Sequence, residues 1–296
     1  MAMRFVFVMD PVSTVIVDED TSFALMLEAQ ARGHHVDHCL TSDVGLRGRR
    51  VVARVRQATM QLDENQPILL GDEEDLDLAD VDAVFIRKDP PFNDAYLWLT
   101  LVLDHLEGST LVVNNPRGLR EANEKLYAHH FPEVVPPTIM TSHKDEALLF
   151  LRDVGGKAVI KPIDGNHGRG ITVDIKSYEE ALKAFHAARA VSSRVIVEKY
   201  IRGEDYRLLV INYSFVAAAL RSPAHVIGDG KSTIKELVAE VNKDPRRGYG
   251  HEKVLTAITI NDMTKNIIAN AGYTEDSVLK EGEKLILKDT ANLSTG

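Results

Sequence analysis

Residues 161–170 read Lys-Pro-Ile-Asp-Gly-Asn-His-Gly-Arg-Gly and follow a short apolar run, Ala158-Val159-Ile160. A second β-like run, Ile171-Thr172-Val173-Asp174-Ile175, comes directly after them. Strand, glycine-rich loop and strand form a hairpin that can close over phosphates, because glycine lets the backbone approach an anion and direct several N–H groups at it. Lys161 adds a full positive charge at the end of the first strand. The pattern predicts nucleotide binding without a helix-based phosphate loop.

Length and composition are those of an ordinary globular protein. The chain has 296 residues, which is long enough for two or three domains. Its residues are 44% hydrophobic and 27% charged, as is usual for a globular protein. Its net charge of −9 argues against a nucleic-acid partner. Seven of the 44 aspartates and glutamates are in residues 72–82, which we expect to form a solvated loop or helix end.

The single cysteine, Cys39, excludes an intramolecular disulfide, and we expect it to be a buried strand residue in a cytoplasmic protein. No apolar run approaches the roughly 18 residues that a membrane span needs, so no membrane partner is expected. The N-terminal run Phe5-Val6-Phe7-Val8-Met9 is too short for a signal peptide and is predicted to be a buried strand.

Residues 1–120 alternate between predicted strands and helices, which indicates an α/β domain with a parallel sheet and helices on both faces. Thr21 or Ser22 is the predicted cap of the first helix, and Gly33 closes it. The predicted strands are Arg4–Met9, Val36–Leu40, Ala83–Ile86 and Thr110–Val113, and the predicted helices end at Arg32 and span Asp94–His105.

Three polar, proline-marked loops directly follow strands of this domain. They are Asp10-Pro11-Val12-Ser13, Arg87-Lys88-Asp89-Pro90-Pro91 and Asn114-Asn115-Pro116-Arg117. Each loop alone is compatible with a simple turn. Ligands of parallel sheets usually lie at the carboxyl ends of the strands, so together the loops predict a ligand crevice at one edge of the sheet.

A linker near residues 132–137 introduces an α+β region. Its predicted strands are 138–140, 158–161, 171–175, 194–200, 206–211, 215–220 and 284–288, and its predicted helices are 144–152, 177–190, 232–242 and 262–271. The last two helices belong to a Gly-rich and charged insertion at about 228–272.

The order of elements after residue 155, together with several motifs, resembles an ATP-grasp ligase. The motifs are Ala122-Asn123-Glu124-Lys125, Lys161, the loop Gly165–Gly170 and Val197-Glu198-Lys199-Tyr200-Ile201. Members of this family hold ATP between two α+β lobes and activate a carboxylate as an acyl phosphate. The resemblance implies a pre-ATP-grasp substrate domain at 1–120, an N-terminal lobe at 121–203 and a C-terminal lobe at 204–296.

The same resemblance implies the roles of individual residues. It implies ATP and Mg²⁺ as cofactors, a hinge at residues 198–201 whose backbone reads adenine, ribose contacts from Glu204 or Asp205, and Arg207 and Arg221 facing the transferring phosphoryl group. His167 would accept a proton from the attacking amine or would be a solvent-facing loop residue. The implied nucleotide contacts are Lys125, Lys161, Gly165, Gly168, Arg169, Gly170, Glu198, Lys199, Tyr200, Ile201, Glu204, Asp205 and Asn292.

Elementary chemistry agrees with this set of residues. A carboxylate that attacks the γ-phosphate of ATP brings two anions together, so positioning and charge neutralisation carry most of the catalysis. Two lysines, one or two arginines and magnesium are the expected groups, and no Ser-His-Asp or Cys-His nucleophile is needed.

Motifs of the N-terminal part resemble bacterial glutathione synthetase over about residues 1–165. They include Met9-Asp10-Pro11, Ser22–His34, Arg87–Phe92, Asn114–Arg117 and Glu121–Leu126. This resemblance implies a domain for γ-glutamylcysteine, which is joined to glycine with ATP hydrolysis. It makes Arg87 and Asn115 candidates for binding the dipeptide, and it implies a homo-oligomer that acts on small peptides and amino acids.

Motifs of the second half, about residues 160–296, resemble cyanophycin synthetase and the ATP-grasp region of bifunctional glutathione enzymes. They are Arg221–Lys231, Asp244–Gly248 and Asp289–Gly296. Cyanophycin synthetase extends an aspartate backbone with aspartate and arginine by the same chemistry. Since the two resemblances meet near Gly156–Asp164, a fusion junction is one expectation, and a cyanophycin-type peptide ligase is the alternative function.

ATP-grasp enzymes carry late magnesium ligands in a Glu-x-Asn strand, where alternate residues share one face. Glu240-Val241-Asn242 has this spacing, but it lies in a predicted helix, where the two side chains diverge by about 200°. We therefore assign no metal ligand and expect the C-terminal lobe to be incomplete. A truncated or chimeric nucleotide-binding protein without turnover is a third hypothesis.

Simpler interpretations remain for other residues. Lys125 has the alternative of a solvated helix lysine, and Arg246-Arg247 is predicted to be an exposed turn. Gly228-Asp229-Gly230-Lys231-Ser232-Thr233 ends like a helix-based phosphate loop, but His225 stands where that motif needs glycine. We predict a turn that leads into a helix.

Overall fold

The first apolar run of the sequence, Arg4–Met9, forms strand β1 inside a seven-stranded sheet. The structure is a computed structural model that describes residues 1–164, 170–249, 253–291 and 294–295. It contains two units, Met1–Glu133 and Val134–Gly296. The domain boundaries near residues 120 and 203 stay predictions.

The first unit follows the predicted α/β pattern and adds strands to it. After β1 come α1 (Thr21–Ala31), β2 (His35–Cys39), β3 (Val44–Arg47), β4 (Arg50–Met60), β5 (Ile68–Asp77), β6 (Ala83–Arg87), α2 (Asp94–Leu103), β7 (Leu111–Val113) and α3 (Pro116–Glu121). The sheet order is β3-β4-β2-β1-β6-β7, with β5 paired to β4.

Four strands of this sheet are parallel, as predicted. β1 pairs with β2 and β6, and β6 pairs with β7, all in parallel. Helices cover both faces: Phe23 and Met26 of α1 pack with Phe7, while Leu99 and Leu103 of α2 pack in the core that contains Val6 and Val8. Alternate residues of β1 thus contribute to the cores on the two faces of the sheet. Cys39 is buried, as expected.

The acidic run was predicted wrongly as a solvated loop or helix end. Most of it belongs to β5, which pairs antiparallel with β4. Arg54 of β4 lies opposite Asp75, and its Nε is 3.3 Å from Glu73 Oε1. Facing arginines offset the repulsion between carboxylates that disfavours an acidic strand. The antiparallel part of the sheet, β3 to β5, was not predicted.

The cap of α1 also differs from the prediction. Asp20, and not Thr21 or Ser22, is the N-cap, and its carboxylate accepts hydrogen bonds from the Ser22 N–H at 2.6 Å and the Phe23 N–H at 3.1 Å. This satisfies two of the N–H groups that a helix start leaves without partners. The Ser22 hydroxyl is therefore not needed for capping.

The second unit is α+β, with several small sheets. Its elements are β8 (Thr138–Thr141), α4 (Lys144–Asp153), β9 (Ala158–Pro162), β10 (Thr172–Ile175), α5 (Tyr178–Arg189), β11 (Val195–Lys199), β12 (Asp205–Ile211), β13 (Ser214–Arg221), β14 (Pro223–Ile227), α6 (Ile234–Val241), β15 (Arg247–Gly248), β16 (Leu255–Thr256), α7 (Asp262–Asn270) and β17 (Lys284–Ala291). One sheet has the order β10-β9-β11-β8, and β12-β13 and β14-β17 form separate antiparallel pairs.

The predicted hairpin around the glycine-rich loop is confirmed for its strands, because β9 and β10 are antiparallel neighbours. Ala158 and Ile160 of β9 and Val195 and Val197 of β11 pack with α4 and α5 in a common core. Lys161 of β9 and Glu198 of β11 lie on the other face.

The segment Gly228–Thr233 is a bend that leads into α6, as predicted. The Asp229 carboxylate accepts hydrogen bonds from the Lys231 N–H at 2.9 Å, the Ser232 N–H at 2.7 Å and the Ser232 hydroxyl at 2.7 Å. The bonds to Ser232 and Lys231 lower the pKa of Asp229 from 3.8 to about 2. Gly228 is required by packing, since a Cβ there would overlap the Lys280 carbonyl.

The lowered pKa of Asp229 predicts an acid-sensitive contribution to stability. A carboxylate with a lower pKa in the folded state stabilises the fold above its unfolded pKa of 3.8 and loses that effect as the pH falls toward about 2. Asp229→Ala should therefore melt below the wild type at about pH 6, and the difference should shrink toward about pH 2.5. Asp276→Ala, at an exposed acid, is the control. A melting difference that stayed constant with pH would contradict the assignment.

Candidate active site

Lys161 and Glu198 form an ion pair on the face of the β9–β11 sheet opposite α4 and α5. Lys161 Nζ is 2.8 Å from Glu198 Oε2, and the two side chains are 21% and 19% exposed. Strand pairing explains the contact: Lys161 lies opposite Ile196, and Glu198 is two residues further along on the same face. The ammonium group is thus held in place at the entrance to the glycine-rich loop.

Two of the predicted hinge residues already use their backbone N–H groups in hydrogen bonds within the protein. The Lys199 N–H donates to the Pro137 carbonyl at 2.9 Å, and the Tyr200 N–H donates to the Lys157 carbonyl at 3.1 Å. Within the described part of the chain, the Ile201 N–H has no hydrogen-bond partner, and the Ile201 side chain is 61% exposed. Of these three N–H groups, the one at Ile201 is available to a further acceptor, whereas those of Lys199 and Tyr200 are already used.

Arg207 and Arg221 lie on the same face of the β12–β13 pair. Arg207 is opposite Ala219, and Arg221 is opposite Asp205, so alternation along each strand puts both arginines on the same side. Arg221 Nη1 is 3.7 Å from Asp205 Oδ1. Arg207 is exposed, and it has no ion pair or side-chain hydrogen bond to any residue that the structure describes.

The predicted ribose contact Glu204 accepts a hydrogen bond from the Tyr206 hydroxyl. This bond to a carboxylate raises the pKa of Tyr206. Asp205, the alternative ribose contact, is exposed and pairs with Arg221. Glu204 and Asp205 thus both have partners within the hairpin.

Lys125 lies in a turn between α3 and a 3₁₀ turn, Tyr127–His130, and its side chain is only 12% exposed. Its Nζ is 3.3 Å from Glu124 Oε1, and the Asn123 side chain fixes the turn by accepting a hydrogen bond from the Lys125 N–H at 2.9 Å. The alternative interpretation of a solvated helix lysine is wrong, because Lys125 is neither helical nor exposed.

Part of the predicted phosphate loop lies outside the described residues. This applies to Gly165, His167, Gly168 and Arg169, and also to Asn292 near the chain end. The loop begins at Asp164, whose carboxylate accepts a hydrogen bond from the Ser192 hydroxyl at 2.9 Å.

Gly170, at the end of the same loop, has a φ of +69°, a conformation that favours glycine. A Cβ there would lie 3.1 Å from Val191 Cγ2 and 3.3 Å from the Ala187 carbonyl oxygen. Packing against the end of α5 thus gives a reason for this glycine that does not involve a nucleotide.

In the first unit, two of the three loops predicted to converge, those after β1 and β6, meet at the carboxyl edge of the sheet. Lys88 Nζ is 2.8 Å from Asp10 Oδ1, and the Asp89 N–H donates to Asp10 Oδ2 at 2.9 Å. Burial alone would raise the pKa of Asp10, but the hydrogen bonds from Lys88 and Asp89 hold it below its ordinary value. His38 at the end of β2 contacts the Asp10 carbonyl at 3.2 Å, and burial lowers the pKa of its ring.

Arg87, the candidate dipeptide contact, is half-buried at the end of β6. Its Nε donates to the Ser22 hydroxyl oxygen at 2.9 Å. Its two terminal nitrogens have no hydrogen-bond or ion-pair partner among the described residues. A guanidinium held in this way presents two parallel N–H groups, the geometry that binds a carboxylate with two hydrogen bonds. Sequence reasoning missed Ser22, because it treated the residue as a cap.

Asn115, the second candidate dipeptide contact, is the N-cap of α3. Its Oδ1 accepts a hydrogen bond from the Gly118 N–H at 3.1 Å. It also lines a cavity of about 600 Å³ beside β7, together with Asp104, Leu111 and Arg120. Arg87 does not line this cavity, so the structure does not bring the two predicted dipeptide contacts together in it.

The Glu240–Asn242 pair is not a metal site. Both residues lie at the end of α6, as predicted, and their side chains diverge. Glu240 pairs with Lys243, whereas the Asn242 side chain makes two 2.8 Å hydrogen bonds with the backbone of Ile258. Asn242 thus joins α6 to the segment that precedes α7. Arg246 is an exposed turn residue as predicted, but Arg247 is half-buried and donates to the Thr256 carbonyl at 2.9 Å.

Asn242→Ala should lower the free energy of unfolding by about 2 kcal/mol, because it removes two hydrogen bonds and leaves the Ile258 backbone groups unmatched. Denaturant unfolding measures this change. Glu240→Ala removes only an exposed ion pair on the same helix and should change stability by less than about 0.5 kcal/mol. Equal effects of the two substitutions would contradict the structural role of Asn242.

Within the described ranges, no group of three or more His, Cys, Asp or Glu side chains is arranged to hold a metal ion. In the same ranges, no helix is long and apolar enough to cross a bilayer.

Two family models match the sequence. The N-terminal domain model of prokaryotic glutathione synthetase matches residues 3–120, and the ATP-grasp domain model of the same family matches residues 124–239. The chain therefore belongs to the prokaryotic glutathione synthetase family of ATP-grasp ligases. The match through residue 239 extends past residue 165, where the glutathione synthetase motifs were predicted to end.

Individual relatives divide between two kinds of ligase. A glutathione synthetase of Gloeobacter violaceus is 36% identical over 231 residues, which cover 75% of this chain and 71% of that protein. A cyanophycin synthetase of Trichormus variabilis is 52% identical over 163 residues, which cover 55% of this chain and 18% of that protein. The chain spans less than a fifth of the length of the cyanophycin synthetases it matches.

Among solved structures, a bifunctional glutathione synthetase from Pasteurella multocida is 26% identical, with a TM-score of 0.35. The match covers 80% of this chain and 29% of that one.

Proposed function

We propose that the chain is an ATP-dependent carboxylate–amine ligase that makes glutathione from γ-glutamylcysteine and glycine. The observation that carries the proposal is the match of residues 3–120 to the glutathione synthetase N-terminal domain, in which Arg87 has terminal nitrogens available for a carboxylate. In the proposed reaction, a carboxylate oxygen of the dipeptide attacks the γ-phosphorus of ATP, and ADP leaves. The amine of glycine then attacks the acyl phosphate, loses a proton, and inorganic phosphate leaves.

Lys161 and Lys125 are the proposed lysine contacts to ATP, with Gly165, Gly168, Arg169 and Gly170 in the loop over the phosphates. A cation near the phosphates lowers the cost of bringing a second anion to them. Arg207 and Arg221, on one face of their hairpin, would neutralise charge on the transferring phosphoryl group. Magnesium, when bound, would add further neutralisation of the phosphates.

Further residues have proposed roles in binding the base, the ribose and the dipeptide and in accepting the amine proton. Glu198 orients Lys161, and residues 199–201 contact the base, with the N–H group supplied by Ile201. Glu204 or Asp205 would contact the ribose, His167 would accept the amine proton, and Asn292 would lie near the phosphates. Asn115 is proposed to contact the dipeptide in addition to Arg87. A cytoplasmic homo-oligomer remains our expectation.

A cyanophycin-type peptide ligase is the second candidate, and the 52% identity over 163 residues favours it. Because the substrate domain matches the glutathione synthetase family, we rank it second. The two candidates share the acyl-phosphate chemistry and differ in the acceptor peptide and in the amine.

The deciding experiment measures inorganic phosphate release in the presence of ATP and magnesium. One reaction contains γ-glutamylcysteine and glycine, a second contains an aspartate-primed peptide and arginine, and controls omit the amine. We expect release in the first reaction and formation of glutathione. Release only in the second would favour the cyanophycin-type activity, and ATP binding without release in either would support a nucleotide-binding protein without turnover.

A further inference from the structure

The position of Arg87 depends on Ser22, a residue to which the sequence analysis gave no role in binding. Among the described residues, the single hydrogen-bond partner of the Arg87 side chain is the Ser22 hydroxyl, which accepts from Nε at 2.9 Å. An arginine anchored only through Nε still has its end-on pair of Nη N–H groups available to another acceptor. Such an anchor preorganises the planar fork and lowers the entropy lost when a carboxylate binds.

Ser22 is itself held firmly. It is 4% exposed, and its backbone N–H donates to the Asp20 carboxylate at 2.6 Å as part of the helix cap. The chain of contacts therefore runs from the Asp20 cap through the backbone and hydroxyl of Ser22 to Arg87. Asp20 and Ser22 lie at the start of α1, a regular element of 11 residues, and Arg87 is the last residue of β6.

One acid close to Arg87 already has partners of its own. The nearby Asp10 carboxylate is paired with Lys88 at 2.8 Å and bonded to the Asp89 N–H, so its charge is partly neutralised. Burial raises the pKa of the Tyr96 hydroxyl, and the nearby charges of Arg87 and Asp89 act on it in opposite directions. Tyr96 also contacts Phe92, at 4.8 Å between ring centroids, which gives one wall of this region an apolar surface.

We infer that Ser22 is a positioning residue that fixes Arg87 so that its two terminal nitrogens bind one carboxylate of the acceptor peptide. This inference rests on the proposed function, because the acceptor is the dipeptide of that reaction. Ser22 does not touch the reacting atoms, and its contribution is to ground-state binding of the peptide. Such a contribution appears in KM and not in kcat.

The test compares Ser22→Ala with Thr21→Ala, which removes an exposed hydroxyl from the same helix turn. We expect Ser22→Ala to raise the KM and the calorimetric Kd for γ-glutamylcysteine by about tenfold, with the KM for ATP and kcat unchanged within about twofold. Ser22→Cys should give an intermediate rise, since sulfur is a weak acceptor. Thr21→Ala should match the wild type.

A double-mutant cycle separates positioning from a general effect on the fold. In an Arg87→Ala background there is no guanidinium to position, so Ser22→Ala should add less than about a twofold change in the Kd for the dipeptide. A further tenfold rise in the Kd for the dipeptide in that background would show a structural role of Ser22 and overturn the inference. Equal losses of affinity for ATP and for the dipeptide would do the same.

The outcomes also separate this inference from the proposed function. If the wild type makes glutathione and Ser22→Ala has the wild-type KM and Kd, the inference is wrong and the function stands. If the wild type binds the dipeptide without turnover, the function is wrong and the Kd values still decide the role of Ser22. If the wild type neither binds nor converts the dipeptide, both are wrong.

Discussion

Replacing Lys161 by alanine should weaken ATP binding by about 100-fold, equivalent to about 2.7 kcal/mol. Two effects act in the same direction. The substitution removes a positive charge that is held 2.8 Å from Glu198, four residues before Gly165 in the sequence. It also leaves the Glu198 carboxylate without its counter-charge, so that this acid repels the phosphates. Calorimetric titration with a non-hydrolysable ATP analogue measures the loss.

Two further variants test the source of this loss. Lys157→Ala removes an exposed lysine just before the same strand and should leave ATP affinity within about twofold of the wild type. The double variant Lys161→Ala/Glu198→Ala should recover the part that comes from repulsion and still bind more weakly than the wild type. An unchanged affinity of Lys161→Ala would exclude this lysine from the nucleotide site.

Replacing Arg207 by alanine should lower kcat by about 100- to 1,000-fold and leave stability nearly unchanged. The rate effect is expected because a guanidinium that neutralises the transferring phosphoryl group acts mainly in the transition state. The unchanged stability is expected because Arg207 is exposed and has no side-chain partner in the described ranges. Steady-state phosphate release and thermal melting measure the two quantities.

The matched control for Arg207 is Arg194→Ala, which removes an exposed arginine at the start of β11 in the same unit. It should keep the wild-type kcat. Arg207→Lys keeps the charge but not the planar fork and should fall between the alanine variant and the wild type. A kcat for Arg207→Ala within about threefold of the wild type would remove this residue from the proposed phosphoryl contacts.

Strands with apolar runs and helices with clear boundaries could be predicted from sequence, because their signals are local. Strand β1 and helix α5 are examples, and their observed bounds differ little from the expected ones. Strand β5 could not be predicted in this way. Its acids are poor strand formers, and they are accommodated by arginines of β4, a pairing that depends on register between two segments.

In the candidate site too, contacts between segments that are distant in the sequence could not be predicted. The lysine before a glycine-rich loop was identified from its neighbours in sequence, but its contact with Glu198 depends on the pairing of β9 with β11. At the start of α1, three adjacent residues can all cap a helix, and the backbone conformation selects Asp20. The hydroxyl that this choice leaves available to Arg87 is visible only when α1 and β6 are placed side by side.

The acidic strand β5 also bears on the behaviour of the chain at high concentration. β5 has one neighbour, β4, so its outer edge has no partner within the described sheet. An open edge of this kind is a template for joining with other chains into fibres. Five carboxylates lie along β5, at residues 72–75 and 77, and four of them pair with arginines of β1, β3 and β4. Joining a second edge would take this row of hydrated charged side chains out of water, which opposes aggregation through this edge.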